Sequence, residues 1–312
     1  QFLFAALQLP ILPTYNDFQF KINLKVNEKN KISFIGLGAI DDFNLNASVN
    51  DNVTDSAVIE SNNFILNNLP LQKQWNYAVG MNWLHYSKNS YQNIVLSRNM
   101  LNNSATRFKD NIETTENLLL DYDSFEAENK FRFEHTFNKN GWRINAGLGY
   151  EYAQYFNSTY NNITVQGFPV VVDYESSLGL NKFALFSQIS KAYFNDKLSS
   201  SLGLRTDFSS YSSSMANPLD QLSPSFSLSY HLTKSWSINA NLSRFHQLPS
   251  YTILGFRDQN EILVNKSNDI KYIRADHAVV GFEYITDWKS RFTVESFYKD
   301  YSRYPFSLND SI

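Results

Sequence analysis

Hydrophobic and polar residues alternate along most of this chain with a period of two. In GWRINAGLGYEY (141–152), apolar side chains from Trp142 to Tyr152 occupy the even positions, and polar or small ones, including Arg143 and Glu151, occupy the odd positions. Successive side chains of an extended strand point to opposite faces, so the pattern predicts a β-strand with one apolar and one polar face. No stretch of 12 or more residues has a convincing helical period. The same alternation occurs at 18–26, 75–83, 226–230 and 236–242.

The connections between these segments alternate between short and long. The predicted tight turns are at 27–30, 87–90, 138–141, 195–197, 233–235 and 286–290. The predicted long polar loops are at 41–73, 102–117, 157–178, 211–222 and 247–271. Twelve strands can be placed around the six tight turns, with the end of one more at 2–7.

This order of connections predicts a barrel embedded in a membrane. Transmembrane β-barrels have short periplasmic turns and long extracellular loops, whereas a soluble β-sandwich has no reason to keep its short turns at one end. Aromatic residues lie near the tight turns and again about eight to ten residues farther along, as with Trp142 and then Tyr150 or Tyr152. That spacing matches two aromatic girdles. We predict an all-β, antiparallel, up-and-down transmembrane barrel whose apolar face contacts outer-membrane lipids.

The polar face of each strand is then predicted to line the lumen of the barrel. A soluble sheet with one solvated face would show the same local alternation, so a single strand leaves both interpretations open. The ionisable residues predicted to face the lumen are Arg143, Glu151, Arg205, Asp207, Glu283 and Glu295.

The amino-acid composition excludes several classes of function. The 312 residues carry a net charge of −3, so no basic surface is available to bind nucleic acid. Cysteine is absent, which excludes thiolate chemistry and disulfides. Aromatic residues reach 16% of the chain, which suits a β protein. No run of 18 apolar residues is present, so no membrane-spanning helix is predicted.

The sequence has no motif typical of a catalytic or metal-binding site. The five histidines are scattered without HxxxH or HExxH spacing, and neither GxSxG nor a phosphate-binding glycine loop occurs. We therefore expect a protein that is not an enzyme and has no cofactor and no metal site. The acidic loop at 41–55 has oxygen ligands suited to Ca²⁺ but lacks the DxDxDG pattern, which favours an ordinary solvated loop.

The loop at 246–269 differs from the other long loops because it mixes aromatic residues with both signs of charge. Such a composition suits contact with a ligand. We select Tyr251, Phe256 and Arg257 as candidate ligand-binding residues in this extracellular loop. The alternative is a loop that folds onto its own barrel.

Two segments of the chain resemble a known family. LPTYNDFQFKINLKVNEKNKISFIGLGAIDDFNL (12–45) resembles a strand–turn–strand block in the barrels of TonB-dependent outer-membrane receptors, with the closest likeness to those of Bacteroidetes. SRFHQLPSYTILGF and the following NKSNDIKYIRADHAVVGFEY, within 243–284, resemble a later block of the same barrels. No single motif is specific, but the two blocks occur in the right order.

The resemblance implies an active transporter in the bacterial outer membrane. Its members have barrels of about 22 strands filled by an N-terminal plug, and they take up scarce or bulky nutrients such as a metal chelate, cofactor, glycan or peptide. Residues 1–312 would be a single barrel segment of about 12 to 13 strands, with the plug and closing strands outside it. The implied partners are outer-membrane lipids and the TonB energy-transducing complex, acting through the plug. A surface lipoprotein or another outer-membrane protein is a further candidate partner.

Two other functions stay open at the level of the sequence. The first is a passive porin-like channel, or an outer-membrane barrel that anchors surface partner proteins. The second is a soluble secreted β-sandwich or adhesin. A plug with a TonB box upstream of the barrel would favour active transport over the passive alternatives.

Overall fold

The computed structural model describes residues 7–258 and 260–306, which form one antiparallel sheet of twelve strands. Every strand pairs with the next strand along the chain, so the order in the sheet is the order in the sequence. This is the up-and-down arrangement that the sequence predicts. The strands are β1 (Ile11–Asn27), β2 (Asn30–Leu45), β3 (Leu71–Tyr86), β4 (Ser90–Phe108), β5 (Leu118–Lys139), β6 (Trp142–Val165), β7 (Phe168–Tyr193), β8 (Leu198–Ser209), β9 (Leu222–His231), β10 (Trp236–Gln247), β11 (Ile273–Ile285) and β12 (Arg291–Ser302).

All six predicted tight turns are confirmed, because each joins two directly paired strands. The turn between β1 and β2 brings Asn27 opposite Asn30, and the turn between β5 and β6 brings Lys139 opposite Trp142. In the second of these turns Asn140 and Gly141 both have positive φ angles. Glycine and asparagine tolerate this conformation, which closes a hairpin tightly. The extra strand predicted at 2–7 falls almost entirely outside the described residues.

The two faces of the sheet differ as the alternation predicts. We call the face that carries Trp142 the outer face and the face that carries Glu151 the inner face. Trp142, Leu148 and Tyr150 are 38%, 40% and 38% exposed, although they are large apolar side chains. The pairing of the strands keeps residues of the same face next to one another across the sheet. Glu151, for example, lies opposite Lys130 in β5 and Lys182 in β7. An apolar face this exposed to solvent is the property of a surface that contacts lipid.

Two of the predicted long loops are wrong in detail. The region 157–178 is a hairpin in which β6 and β7 stay paired up to Val165 opposite Phe168. The region 102–117 is shorter than predicted because β4 continues to Phe108. Strands therefore run from 10 to 26 residues. The strand ends are rich in Asn, Ser and Thr. This composition is typical of loops, so the sequence did not indicate that the backbone there is extended.

The connection from β2 to β3 holds a helix that the sequence pattern does not reveal. Helix α1 (Ser56–Asn68) begins after Asp55, whose carboxylate accepts a 2.9 Å hydrogen bond from the Ala57 N–H. A side-chain acceptor at this position stabilises the first turn. Asn62 is its one buried residue among those described, so no apolar stripe marks the helix in the sequence.

Three further helices are single turns: α2 (Ser213–Ala216), α3 (Tyr251–Leu254) and α4 (Val264–Ser267). Short 3₁₀ turns occupy Lys109–Asn111, Thr115–Asn117 and Pro218–Gln221. Among the described residues, no helix is both long and apolar enough to cross a membrane.

The buried apolar core lies on the inner face and not within the sheet itself. The connection between β10 and β11, residues 248–272, folds against the inner face and forms this core; we call it the β10–β11 loop. Its members are Ala153, Tyr155, Leu180, Tyr211, Met215, Tyr251, Leu254 and Tyr272.

Gly147 provides a test of how tightly strands pack around this inner face. A Cβ at Gly147 would lie 2.4 Å from both the Phe133 carbonyl oxygen and the Phe186 ring. We expect Gly147→Ala to destabilise the intact protein by about 1–3 kcal/mol, because backbone and ring must both move. The measurement is the urea midpoint of unfolding in detergent micelles.

The control is Gly149→Ala, two residues along the same strand and on the same face. There the new Cβ would be 3.5 Å from the Ala184 Cβ, an ordinary contact. Its urea midpoint should stay close to that of the unmodified protein. Equal midpoints for the two variants would show that Gly147 is not needed for close packing.

Candidate ligand-binding site

The β10–β11 loop is held on the inner face by hydrogen bonds to its backbone. The Tyr211 hydroxyl donates to the Leu254 carbonyl at 2.8 Å. The Gly255 carbonyl accepts from the Tyr174 hydroxyl at 3.0 Å and also from the Ser176 hydroxyl. Buried carbonyls need such partners, so these side chains fix the position of α3 above β7.

Gly255 allows the loop to approach β6 closely. A Cβ at this position would lie 2.8 Å from the Tyr155 ring, which is itself buried. A larger residue would therefore lift the loop away from the strand. The glycine of the segment SRFHQLPSYTILGF is therefore explained by close packing of the loop.

Tyrosine hydroxyls within the core are kept in their neutral form. Burial raises the pKa of Tyr211 to about 12 and that of Tyr272 to about 12. Both groups lie in connections between strands and stay protonated at physiological pH. Neutral hydroxyls can donate hydrogen bonds, as Tyr211 does to Leu254.

Tyr251 joins the loop to a group of charged side chains on the inner face. We call Glu128, Lys130, Glu151 and Lys182 the charged cluster. The Tyr251 hydroxyl donates to Glu128 at 2.5 Å and accepts from the Lys182 ammonium at 2.5 Å. The hydroxyl thus lies between an anion and a cation.

Within the charged cluster, two carboxylates and two ammonium groups neutralise each other. The Lys130 ammonium is 2.6 Å from Glu128 and 3.6 Å from Glu151. Lys182 is 3.3 Å from Glu128 and also pairs with Glu151. Paired charges can be partly buried at tolerable cost, whereas a lone one cannot.

The same surroundings control the ionisation of Tyr251. Burial is the main cause that raises the pKa of this phenol well above its usual range, followed by its hydrogen bond to Glu128. Tyr251 therefore acts as a permanent neutral donor to the carboxylate. It is buried, and among the three candidate ligand-binding residues it is the one that contacts the charged cluster.

Arg257 and Phe256 lie at the upper end of the loop with different exposures. The Arg257 guanidinium donates to the Glu261 carbonyl at 2.6 Å and to the Ser177 carbonyl at 3.0 Å. Phe256 stacks on Tyr174 with 6.2 Å between ring centroids and is 49% exposed. The structure thus brings the three candidates into one loop but leaves only Phe256 broadly accessible.

The six predicted lumen residues lie on the inner face but not at one site. Glu151, Arg205 and Asp207 line a cavity of about 390 Å³ below the β10–β11 loop. Arg143 and Glu295 line a separate cavity of about 580 Å³, whose walls are rich in serine. Glu283 forms an ion pair with Arg291.

Arg205 and Asp207 form their own ion pair inside the first cavity. The Arg205 Nε is 2.6 Å from an Asp207 carboxylate oxygen. In the described parts of the chain, no three His, Cys, Asp or Glu side chains come together in a way that could hold a metal ion. Asp55, in the loop considered for Ca²⁺, caps α1 instead.

Sequence reasoning did not select Glu128, Lys130 or Lys182, which form most of the charged cluster. A signal was present in β5, where EAENKFRFE places Glu126, Glu128 and Lys130 at alternate positions. Alternation identifies their shared face, but only the register of β5, β6 and β7 places Lys182 beside Glu128.

Comparison with known proteins agrees with this architecture. The family model described as "TonB dependent receptor-like, beta-barrel" matches residues 14–312. No curated protein is similar enough in sequence to match the chain.

Several solved structures have the same fold. The ferric enterobactin receptor PfeA of Pseudomonas aeruginosa, as its G324V mutant, has a TM-score of 0.65 at 15% identity, covering 93% of this chain and 42% of its own. The copper transporter OprC has a TM-score of 0.64 at 12% identity, with 89% and 44% covered. The siderophore receptor PirA of Pseudomonas aeruginosa has a TM-score of 0.62 at 11% identity, with 93% and 46% covered.

The chain spans less than half the length of these three structures. None of the matches bears on the likeness to Bacteroidetes proteins, which stays a prediction. The fold, the exposed apolar outer face and the family model agree. The chain belongs to the family of TonB-dependent receptor-like β-barrels, and its location is the outer membrane.

Proposed function

We propose that this barrel captures a nutrient for an outer-membrane active transporter. The nutrient is a scarce or bulky compound such as a metal chelate, cofactor, glycan or peptide. The observation that carries the proposal is the β10–β11 loop, which folds from the ends of β10 and β11 onto the inner face. It covers a charged cavity where a ligand can be held between entry and passage inward.

The inner face supplies the polar lining that such a path requires. We propose that it faces the lumen, with Arg143, Glu151, Arg205, Asp207, Glu283 and Glu295 as its ionisable lining. Polar groups facing an aqueous or plugged lumen are tolerated, while the same groups facing hydrocarbon are costly. Both cavities on this face support that assignment.

The three loop residues have different proposed roles. Phe256, with half its side chain exposed, is proposed to contact the ligand directly. Tyr251 and Arg257 are proposed to act in binding by holding the loop in place, since their polar atoms already contact the protein. A ligand that displaces Arg257 from its carbonyl partners would gain a cationic contact.

The energy for transport is proposed to come from the TonB complex through a plug inside the barrel. The described residues offer no phosphate-binding glycine loop, which fits an external energy source. The names of the neighbours, a ferric enterobactin receptor, a siderophore receptor and a copper transporter, favour a metal or metal chelate among the candidate nutrients.

A second candidate function is the anchoring of a surface partner, such as a lipoprotein or another outer-membrane protein. The observation that favours it is the end of the β6–β7 hairpin. Phe168, Val171 and Val172 are 73%, 55% and 42% exposed there, above the β10–β11 loop contacts. Exposed apolar side chains on a projecting hairpin suit contact with another protein.

Tyr251 provides a test of the role given to the loop. We expect Tyr251→Phe to loosen the loop, because Glu128 and Lys182 lose the hydroxyl that lies between them. Loss of a buried hydrogen bond to charged groups costs about 1.5–3 kcal/mol. Amide hydrogen exchange across 251–258 in the intact protein should therefore become at least about tenfold faster.

The control is Tyr230→Phe, a tyrosine of β9 outside the loop and its contacts. Exchange across 251–258 should not change in this variant. Unchanged exchange in Tyr251→Phe would remove the proposed anchoring role of the hydroxyl.

Active transport and passive diffusion are distinguished by permeability. We expect proteoliposomes that contain the intact protein to show no swelling in isotonic arabinose, because a plugged transporter has no open channel. The measurement is light scattering over seconds, with liposomes that contain a general porin as the positive control. Swelling at a rate comparable with the porin would favour the passive channel.

A further inference from the structure

The outer face of β1–β6 carries an apolar groove with one arginine in its wall. The groove has a volume of about 690 Å³. Strands β1–β6 supply its apolar wall, and Ser97, Arg98, Asn129 and Lys130 are its polar residues. Lys130 belongs to the charged cluster, where its ammonium pairs with Glu128 and Glu151. The apolar lining from the outer face is Phe20, Ile22, Phe34, Val79, Met81, Leu96, Phe131 and Tyr150.

Arg98 belongs to the outer face by register. It lies opposite Val79 in β3 and Asn129 in β5, and Leu96 precedes it on the same face. The strand starts at the tight turn before Ser90, so Arg98 is farther from that turn than the apolar residues Ile94 and Leu96. It is the first charged residue on the outer face of β4 counted from that turn, and Met100 follows it on the same face.

Two adjacent rows of directly opposed residues in β4–β7 differ in polarity. The row nearer the tight turns is entirely apolar or aromatic, and the next row on the same face holds three polar residues and one tyrosine. Such a change is expected where hydrocarbon gives way to headgroups. The first row is Leu96, Phe131, Tyr150 and Phe183, and the second row is Arg98, Asn129, Tyr152 and Asn181.

Among the described residues, no carboxylate neutralises the charge of Arg98. Its Nε donates to the Tyr77 hydroxyl and its Nη1 donates to the Asn129 side-chain oxygen, both at 2.8 Å. Both acceptors are neutral, and among the described residues no carboxylate oxygen lies within 4.0 Å of the guanidinium. Two of its five N–H groups are thus used for orientation, which leaves three for another acceptor.

Arg244 shows the contrasting arrangement on the outer face of β10. Its Nε is 2.7 Å from the Asp276 carboxylate, which also pairs with Arg274. Since a carboxylate already occupies this guanidinium, the Arg244 position has less need of an external anion. Arg98 is oriented in a comparable way but lacks the counter-ion.

We propose that the groove with Arg98 binds a phosphate-bearing lipid of the outer leaflet. An acyl chain lies along the apolar wall between β1 and β6, and the headgroup phosphate accepts hydrogen bonds from the free N–H groups of Arg98. Guanidinium groups form strong, geometrically defined hydrogen bonds with phosphate. Apolar burial and charge pairing then occur in one molecule, which free phosphate cannot reproduce.

The test is lipid titration of the intact protein in neutral detergent, measured by native mass spectrometry. The probes are dioleoyl phosphatidylglycerol, dioleoylglycerol with the same chains and no phosphate, and inorganic phosphate. We expect Arg98→Gln to weaken phosphatidylglycerol binding about fivefold, since one such cation near a membrane surface contributes about 1 kcal/mol. Binding of dioleoylglycerol, which has no phosphate, should change by less than twofold.

Two further variants separate this site from general charge effects and from misfolding. Arg98→Lys keeps the cation and should retain binding of phosphatidylglycerol within about twofold to threefold. Arg132→Gln removes a cation from the inner face of β5, where Arg132 pairs with Glu134 at 3.1 Å, and should leave lipid binding unchanged.

Several results would overturn the proposal. The first is equal phosphatidylglycerol affinity in the unmodified protein and in Arg98→Gln. The second is an equal loss in Arg132→Gln, which would indicate a general effect of net charge. The third is saturable binding of inorganic phosphate that displaces phosphatidylglycerol, which would indicate an anion site without the acyl groove.

Discussion

The fold depends on the requirement that backbone N–H and C=O groups find partners where no water is available. In a hydrocarbon layer an unpaired peptide group costs several kcal/mol, so a strand can cross only if both of its edges are paired. Sequential antiparallel pairing from β1 to β12 meets that requirement for the ten strands between the two edges of the described sheet. Once pairing is fixed, every side chain is assigned to one of two faces, and the chemistry of each face follows from its surroundings.

The inner face carries an apolar core, which a single-layered sheet cannot form by itself. A barrel wall has one layer, so its strands cannot bury apolar side chains against a second sheet. Here the β10–β11 loop supplies the missing layer: Leu254 enters the apolar cluster, and Tyr251 reaches the charged cluster. The loop is therefore both a packing element and the cover of a cavity. The proposed binding role of the loop and its packing depend on the same contacts, so we expect a change in Tyr251 to affect both.

Sequence alone was sufficient for the features that depend on period and turn chemistry. The alternation from Trp142 to Tyr152 identified both faces of β6. The six short polar segments identified the six tight turns, which all lie at one end of the sheet. Helix α1 was missed because Asn62, and not an apolar stripe, is buried. The upper part of the β6–β7 hairpin was taken for a loop because its Asn, Ser and Thr residues hide the extended backbone.

The candidate site was less accessible to sequence reasoning, for a physical reason. Tyr251, Phe256 and Arg257 were selected from the composition of one loop, but their different environments depend on how that loop folds. The contact between Tyr251 and Glu128 joins residues 123 positions apart, and no local pattern encodes it. The alternative, a loop folded onto its own barrel, describes Tyr251 well, whereas Phe256 stacks on Tyr174 of β7 and still leaves half of its side chain exposed.

Three arginines illustrate how the location of a charge determines what it can do. Arg205 lies in an inner cavity and is neutralised by Asp207 at 2.6 Å. Arg257 is oriented by backbone carbonyls in an exposed loop. Arg98 has only neutral partners among the described residues and lies beside an apolar row of the outer face. Because desolvation makes an unpaired charge costly, the guanidinium that has no carboxylate partner among the described residues has most to gain from an external anion, and on a lipid-facing surface we propose that this anion is a lipid phosphate.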